Sequence, residues 1–478
     1  MASTDRVSRS ALAEVVQLRP FRRLWLVFGL SSLGDWLGLL ATSTFAAAQL
    51  RSPAAQGAAF GGIIAVQLLP SLILGPLAGV LADRYDRRRT MVTIDVLRFV
   101  LYASIPLAAT VLPTRAGVVA WAAAASFLAQ AAAMVWTPAK EAAVPNLIPP
   151  GRLETANQLT IVTTYGLTPV LAALTFAGLA RLPSVGRTDA TAFALYFDAL
   201  TFLASAAVVS FGVREISGRR DGAAAERPRQ ALLTGWRHLS GTPLLRGLLV
   251  GLLGAFAGAG IVVGAAKFYA RSLGGGDATF ALLFAALFTG FGLGVVAGPR
   301  VAGPLSRHRL FALSVVLAGG AVVLLAVTPR LSGALLEVLV VGFGAGSAFL
   351  TGITLIGAEV GDELRGRVFA FVQTSARAVL LIAVSISGLL VGAGSAYLVT
   401  LGPVTVPVAA SRLLFLVAGG SGVVVGLVAL RQMDDRRGVP VLADVWHALT
   451  RRPQDGIPPT GGPGHGRGST PAPPREGP

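Results

Sequence analysis

About a dozen stretches of this chain are each predominantly apolar for roughly 20 residues, the length at which a helix crosses the hydrocarbon core of a bilayer. Few folds accept that pattern. In lipid the backbone N–H and C=O groups must be bonded within the chain, so long apolar runs of this kind become spanning helices. Composition agrees: 54% of the 478 residues are apolar, 13% are charged, and the mean hydropathy is +0.69. The expected class is an all-α membrane protein. With no cysteine there is no disulfide framework and no thiolate metal site. The four histidines, at 238, 308, 447 and 465, lie outside the apolar runs, which argues against an intramembrane histidine relay or metal site. No nucleophile with its base, nucleotide loop or metal-ligand spacing is present, so neither an enzyme nor a cofactor is expected.

The net charge of +17 raises nucleic acid as a partner. Its placement removes the need. Most of the basic residues fall on one side of the spans, the side of Arg84, as expected for loops retained in the cytoplasm, where they also meet anionic lipid. The residues are almost all arginine, with two lysines against 38 arginines, which fits the coding bias of a GC-rich bacterial genome. A multi-pass protein of a bacterial cytoplasmic membrane is therefore expected. An even number of spans then places both termini in the cytoplasm.

In order, a basic tail (1–23) carries Arg19, Arg22 and Arg23. The run from Leu24 to Leu50 is too long for a signal-peptide core and is retained as the first helix. Further helices are expected at about 58–82, 92–112, 117–137, 156–180 and 190–213, completing a first half (24–213). A charged, proline-punctuated linker (214–243) follows, with Leu232, Leu233, Trp236 and Leu239 at helical spacing. The second half (244–430) should hold helices at about 244–270, 279–303, 310–327, 333–358, 368–394 and 407–430. Beyond it lies a basic tail (431–478) with an amphipathic run at Pro440–Thr450; the last two dozen residues, rich in Gly, Pro and Arg, are expected to be disordered.

The stretch Gly79, Val80, Leu81, Ala82, Asp83, Arg84, Tyr85, Asp86, Arg87, Arg88, Arg89 resembles the loop-2 signature of the major facilitator superfamily, with Asp86 where that family usually has glycine. Gly361–Ala370, reading GDELRGRVFA, resembles a loop of the superfamily's bacterial efflux-type branch, as do FRRLWLVFGLSSLGDWL in helix 1 and FDALTF in helix 6. The resemblance covers roughly Phe21 to Leu430. It implies twelve helices in two pseudo-symmetric halves that rock about a midplane site. A faint internal repeat, Gly79–Arg84 over Gly303–His308, suits that arrangement.

The resemblance also assigns roles. Gly79, Asp83, Arg84, Arg87 and Arg88 would form the cytoplasmic gate, Asp83 sitting at the start of helix 11. Asp95 and Arg98, three residues apart, can pair on one helix face and brace that loop together with Arg365 and Arg367. Asp35, a carboxylate near mid-membrane, is the candidate for proton coupling: it must face a wet cavity, find a partner or carry a proton. The alternative for it is a merely structural hydrogen bond. Asp198 and Arg377 are the other intramembrane charges, and concealed pairing is the expected role of each. A cavity lined by helices 1, 4, 7 and 10 would present Trp36, Gln130, Met134, Trp136, Phe256, Phe349 and Thr351, unless these are plain packing. Gly290 with Gly294, and Gly388 with Gly392, permit close helix approach.

These readings together give a monomeric, proton-coupled exporter of a small lipophilic or amphiphilic compound. A lysophospholipid or other lipid translocator is the alternative within transport. A membrane scaffold recruiting a cytoplasmic partner is the alternative outside it.

Overall fold

The computed structural model describes residues 16–74, 86–143, 148, 152–181, 187–212, 236–237, 241–303, 305–394, 397–401, 404–436 and 438–450. Among them, 12 helices are long and apolar enough to cross a membrane. They are α1 (Arg19–Ala48), α2 (Pro53–Ile73), α3 (Arg87–Val111), α4 (Arg115–Ala143), a fifth span made of α5 (Leu153–Val162), a π turn (Thr163–Leu167) and α6 (Thr168–Leu179), then α7 (Arg187–Gly212), α8 (Pro243–Ser272), α9 (Asp277–Ala302), α10 (Arg307–Val327), α11 (Leu331–Glu359), α12 (Asp362–Ala393) and α13 (Ala410–Met433). At 1.5 Å per residue even the 21-residue α2 reaches roughly 30 Å, enough to span. A short helix, α14 (Val441–Thr450), closes the described chain where the amphipathic run was expected.

Local chemistry sets many of the starts. Ser52 accepts from the Ala55 amide, Asp86 from Arg89 and Ser306 from Arg309, each satisfying a first-turn N–H. Proline stands in the first turn of α1, α2 and α8, where a missing N–H costs nothing. Asp86, the departure from the loop signature, is thus the N-cap of α3.

Two features differ from the expected pattern. Tyr397–Leu401 (β1) and Val404–Val408 (β2) form an antiparallel hairpin between α12 and α13, with Tyr397 opposite Val408, where a helix was expected to begin at Pro407. The β-branched Val399, Thr400, Val404, Thr405, Val406 and Val408, with a proline that lacks an N–H, favour extended backbone there. The fifth span is interrupted because Pro169 cannot donate to the turn before it, and the ladder loosens into a π turn. The linker amphipathic run lies outside the described residues except for Trp236 and Arg237; Trp236 packs on Phe371 at 5.7 Å.

The helices interlock through backbone. Gly290 and Gly294 of α9 meet the Leu339 and Phe343 carbonyls of α11, and Gly342 and Gly346 return the contact to Leu287 and Phe291. No side chain larger than hydrogen fits at these crossings.

Buried side chains form three clusters. One joins both halves near the face opposite the chain termini, with Leu37, Phe45, Phe60 and Phe176 from the first half and Tyr269, Phe280, Val384 and Phe415 from the second. At the terminal face each half has its own cluster: Phe21, Phe28, Met91 and Val209 in one, Leu248, Phe311, Ile356 and Val368 in the other. Among the described residues the two halves share a core near one end and pack separately at the other.

Candidate functional site

The seal is built from bare backbone. A Cβ on Gly57 would lie 2.3 Å from the Gly388 carbonyl, and one on Gly61 3.0 Å from that of Val384, so α2 and α12 touch main chain to main chain. Arg271 donates to Gln56 across the halves at 2.8 Å, and Lys267, buried beside Phe60, pairs with Asp277 at 3.2 Å. Phe60 packs edge-on against Phe280 at 5.6 Å. A small void of about 50 Å³ behind these contacts is lined by Leu39, Ile64, Val262 and Phe284 and is almost wholly apolar.

One step deeper, α1 is held against the π turn. Trp36 Nε1 donates to the Thr164 carbonyl at 2.9 Å, Trp25 Nε1 to Thr163 Oγ1 at 3.0 Å, and the Ser32 and Thr168 hydroxyls bond at 2.7 Å. The same Trp36 ring packs on Phe288 at 4.6 Å and Phe284 at 5.9 Å in the other half. Trp36 therefore tops the divided region rather than standing free in it. The sequence signal for this arrangement is Gly166-Leu167-Thr168-Pro169, where the proline removes a donor from the helical ladder.

Below Trp36, Asp35 forms an ion pair with Arg98. Its side chain is 40% exposed while the arginine is fully buried. Arg98 Nη1 also donates to Ser31 Oγ at 3.3 Å, and its guanidinium carbon sits 3.8 Å over the Phe202 ring. Asp95 accepts from Ser205 at 2.6 Å. These facts correct two expectations. Arg98 pairs with Asp35 on α1, not with Asp95, because a guanidinium can reach past its own helix to a better acceptor. Asp95 and Arg98 are both fully buried in the core of the first half, and the loop they were expected to brace lies outside the described residues. Asp198 is buried beside them, but neither of its oxygens has a hydrogen-bond partner, so the expected pairing is not made.

The remaining expected residues divide three ways. Gly79, Asp83 and Arg84 lie outside the described residues, and the side chains of Arg87 and Arg365 are likewise not described. Arg88 is described and stays in its own half, donating to the carbonyls of Val209 and Ser210 at the end of α7. Arg367 is half-buried at the start of its span. Gln130, Met134, Phe256 and Phe349 are half-buried, Gln130 approaching the Tyr102 hydroxyl and Phe349 packing on Phe291 at 5.7 Å. Trp136 and Thr351 are core instead of cavity wall: Trp136 is 4% exposed and packs edge-on with Phe28, and Thr351 returns its hydroxyl to the Ser347 carbonyl. Helical spacing alone does not tell a core face from a cavity face. Arg377 is half-buried on α12 and makes no ion pair among the described residues.

A cluster the sequence did not flag ties down the tail. Arg309, fully buried, bonds Asp434 and Asp444 at 2.8 Å each and the carbonyls of Arg436 and Val439. Asp444 also pairs with Arg436 at 3.0 Å. This network straps α14 to the starts of α10 and the end of α13.

Comparison with known proteins completes the site's setting. A family model described as Major Facilitator Superfamily matches residues 24–383. Uncharacterised MFS-type transporters of Mycobacterium tuberculosis and Mycobacterium bovis are each 31% identical over 378 residues, 74% of this chain and 81% of theirs. A stretch of 69 residues is 41% identical to an uncharacterised MFS-type transporter of Bacillus subtilis, 14% of this chain and 16% of that one. Among solved structures, a D-xylose–proton symporter aligns with TM-score 0.67 at 14% identity, over 88% of this chain and 99% of its own. A nucleoside transporter aligns with TM-score 0.66 at 12% identity, over 87% of this chain and 100% of its own.

Proposed function

The chain belongs to the major facilitator superfamily, and we propose that this membrane transporter couples proton entry to the export of a small lipophilic or amphiphilic compound. One observation carries the reading: Asp35, the partly exposed carboxylate of α1, is paired with the buried Arg98 just beneath the aromatic contacts that seal the far end. A carboxylate in that position can take a proton from water in the divided region. Protonation removes its charge and with it the attraction that holds Arg98, so the state of the pair changes with proton binding. If the terminal face is cytoplasmic, as the arginine distribution implies, this state is open inward.

The energetics suffice. One proton moved through 100 mV supplies about 2.3 kcal/mol, equivalent to roughly a fiftyfold gradient of a neutral solute. Export as the direction rests on the resemblance of Gly361–Ala370 to efflux-type loops. An apolar substrate fits the half-buried Met134, Phe256 and Phe349.

The test is efflux of a chemically mixed dye panel from energised cells, comparing wild type with Asp35→Asn at matched membrane levels, with and without a protonophore. Protonophore-sensitive efflux lost in the variant supports the reading. Efflux that survives the substitution removes Asp35 from coupling, and a panel in which no dye moves directs the search to lipids.

A further inference from the structure

Behind the Asp35–Arg98 pair lies a carboxylate that the mechanism above leaves unused. Asp198, on α7, is fully buried, and neither oxygen has a hydrogen-bond partner. It presses on α1 where that helix is bare: a Cβ on Gly34 would lie 2.8 Å from Oδ1, and one on Gly38 2.7 Å from Oδ2. Phe202 and Tyr102, stacked at 5.5 Å, fill the space toward α3. The titratable groups in electrostatic reach are Asp35 from α1 and Arg98 and Tyr102 from α3, with Asp95 next to Arg98.

The cluster holds more carboxylates than cations, and its two unpartnered donors, Arg98 Nε and the Tyr102 hydroxyl, are not bonded to Asp198. Asp35, Asp95 and Asp198 surround a single guanidinium. Arg98 gives Nη2 to Asp35 and Nη1 to Ser31, Ser205 gives its hydroxyl to Asp95, and Thr201 gives its hydroxyl to the backbone carbonyl of Asp198. Nothing among the described residues donates to the Asp198 carboxyl. An ionised carboxylate in an apolar interior with no donor is far more costly than the neutral acid, and such a group takes up a proton instead.

We propose that Asp198 is a proton-binding site, occupied in this state, so that the first half carries a stored proton behind the pair that faces the cavity. The ligand is a proton taken from water, and the neutral acid accounts for the bare glycine face opposite it, which offers no charge and no donor. Tyr102 and Phe202 close the space beside it toward α3. Arg98, within electrostatic reach of both carboxylates, is bonded to Asp35 while Asp198 is neutral. Any part Asp198 plays in coupling rests on the coupled-export reading; its occupancy does not.

The experiment reads the proton at rest, without substrate or gradient, so its result stands apart from the efflux test. Infrared spectra are taken of the purified protein in an ester-free detergent at neutral pH, with aspartate carbon-13-labelled at the carboxyl to identify aspartic-acid C=O absorption. The expected result is an aspartic-acid band in the wild type that survives in Asp95→Asn and is lost in Asp198→Asn. No such band in the wild type overturns the proposal, as does a band that Asp198→Asn leaves unchanged or that Asp95→Asn abolishes. If Asp198→Asn does not fold, the wild type and Asp95→Asn decide.

Discussion

Replacing Gly57 with alanine tests whether the seal depends on bare backbone. The added methyl would sit 2.3 Å from the Gly388 carbonyl oxygen and 2.9 Å from the Gly392 Cα, against about 3.4 Å for ordinary contact. Both obstacles are main chain, so no side chain can turn aside, and α2 and α12 must part by about 1 Å. Overpacking of this kind costs about 1–3 kcal/mol. The cost falls only on the state in which the two helices touch, so the ratio of sealed to unsealed molecules should fall by about fivefold to about a hundredfold. The chain has no cysteine, so a single one can report. Ile64 is 5% exposed and lines the void behind the seal. An Ile64→Cys reporter should therefore react with a membrane-impermeant thiol reagent, added on the face opposite the termini, faster by that factor when Gly57→Ala is present. Gly62 has no atom within 4 Å of where its Cβ would lie and serves as the control. Equal labelling with and without Gly57→Ala, or an equal rise with Gly62→Ala, would refute the reasoning.

Two further perturbations probe the polar clusters. Arg98→Gln removes the cation that, among the described residues, is in reach of both Asp35 and Asp198, and thermal unfolding in detergent should show a loss of about 3 kcal/mol, the lower end of the range for a broken buried pair because Asp35 is partly exposed. The double replacement Asp35→Leu with Arg98→Leu should recover most of that stability while remaining inactive in efflux. Arg309→Ala leaves Asp434 and Asp444 without their shared partner, and α14 should come free, read as new protease cleavage between Arg436 and Thr450 with the spans intact.

Much of the architecture could be read in one dimension because a bilayer imposes a length and a polarity on each segment separately. The twelve spans fall close to their expected bounds, and the amphipathic run after Pro440 was visible as local chemistry. The misreadings occur where the answer depends on what lies opposite a residue. Asp95 and Arg98 share a helix face at the right spacing to pair, yet Arg98 is taken by Asp35 from another helix. Trp136 and Thr351 sit at cavity-like positions of their helices and are packed into the core. Arg309 looks like one more topogenic arginine and is instead the buried centre of the tail clamp.

The sequence by itself determined that this is a multi-pass helical membrane transporter of the major facilitator type, because apolar length, charge placement and loop signatures are properties of contiguous residues. Only the tertiary structure decided that the two halves meet at the end away from the termini, that Asp35 and Arg98 are partners, and that the Asp198 carboxyl has no hydrogen-bond donor among the described residues. Those are relations between helices far apart in the chain. They depend on a few tenths of an ångström of backbone approach, at glycines whose identity is legible but whose opposite number is not.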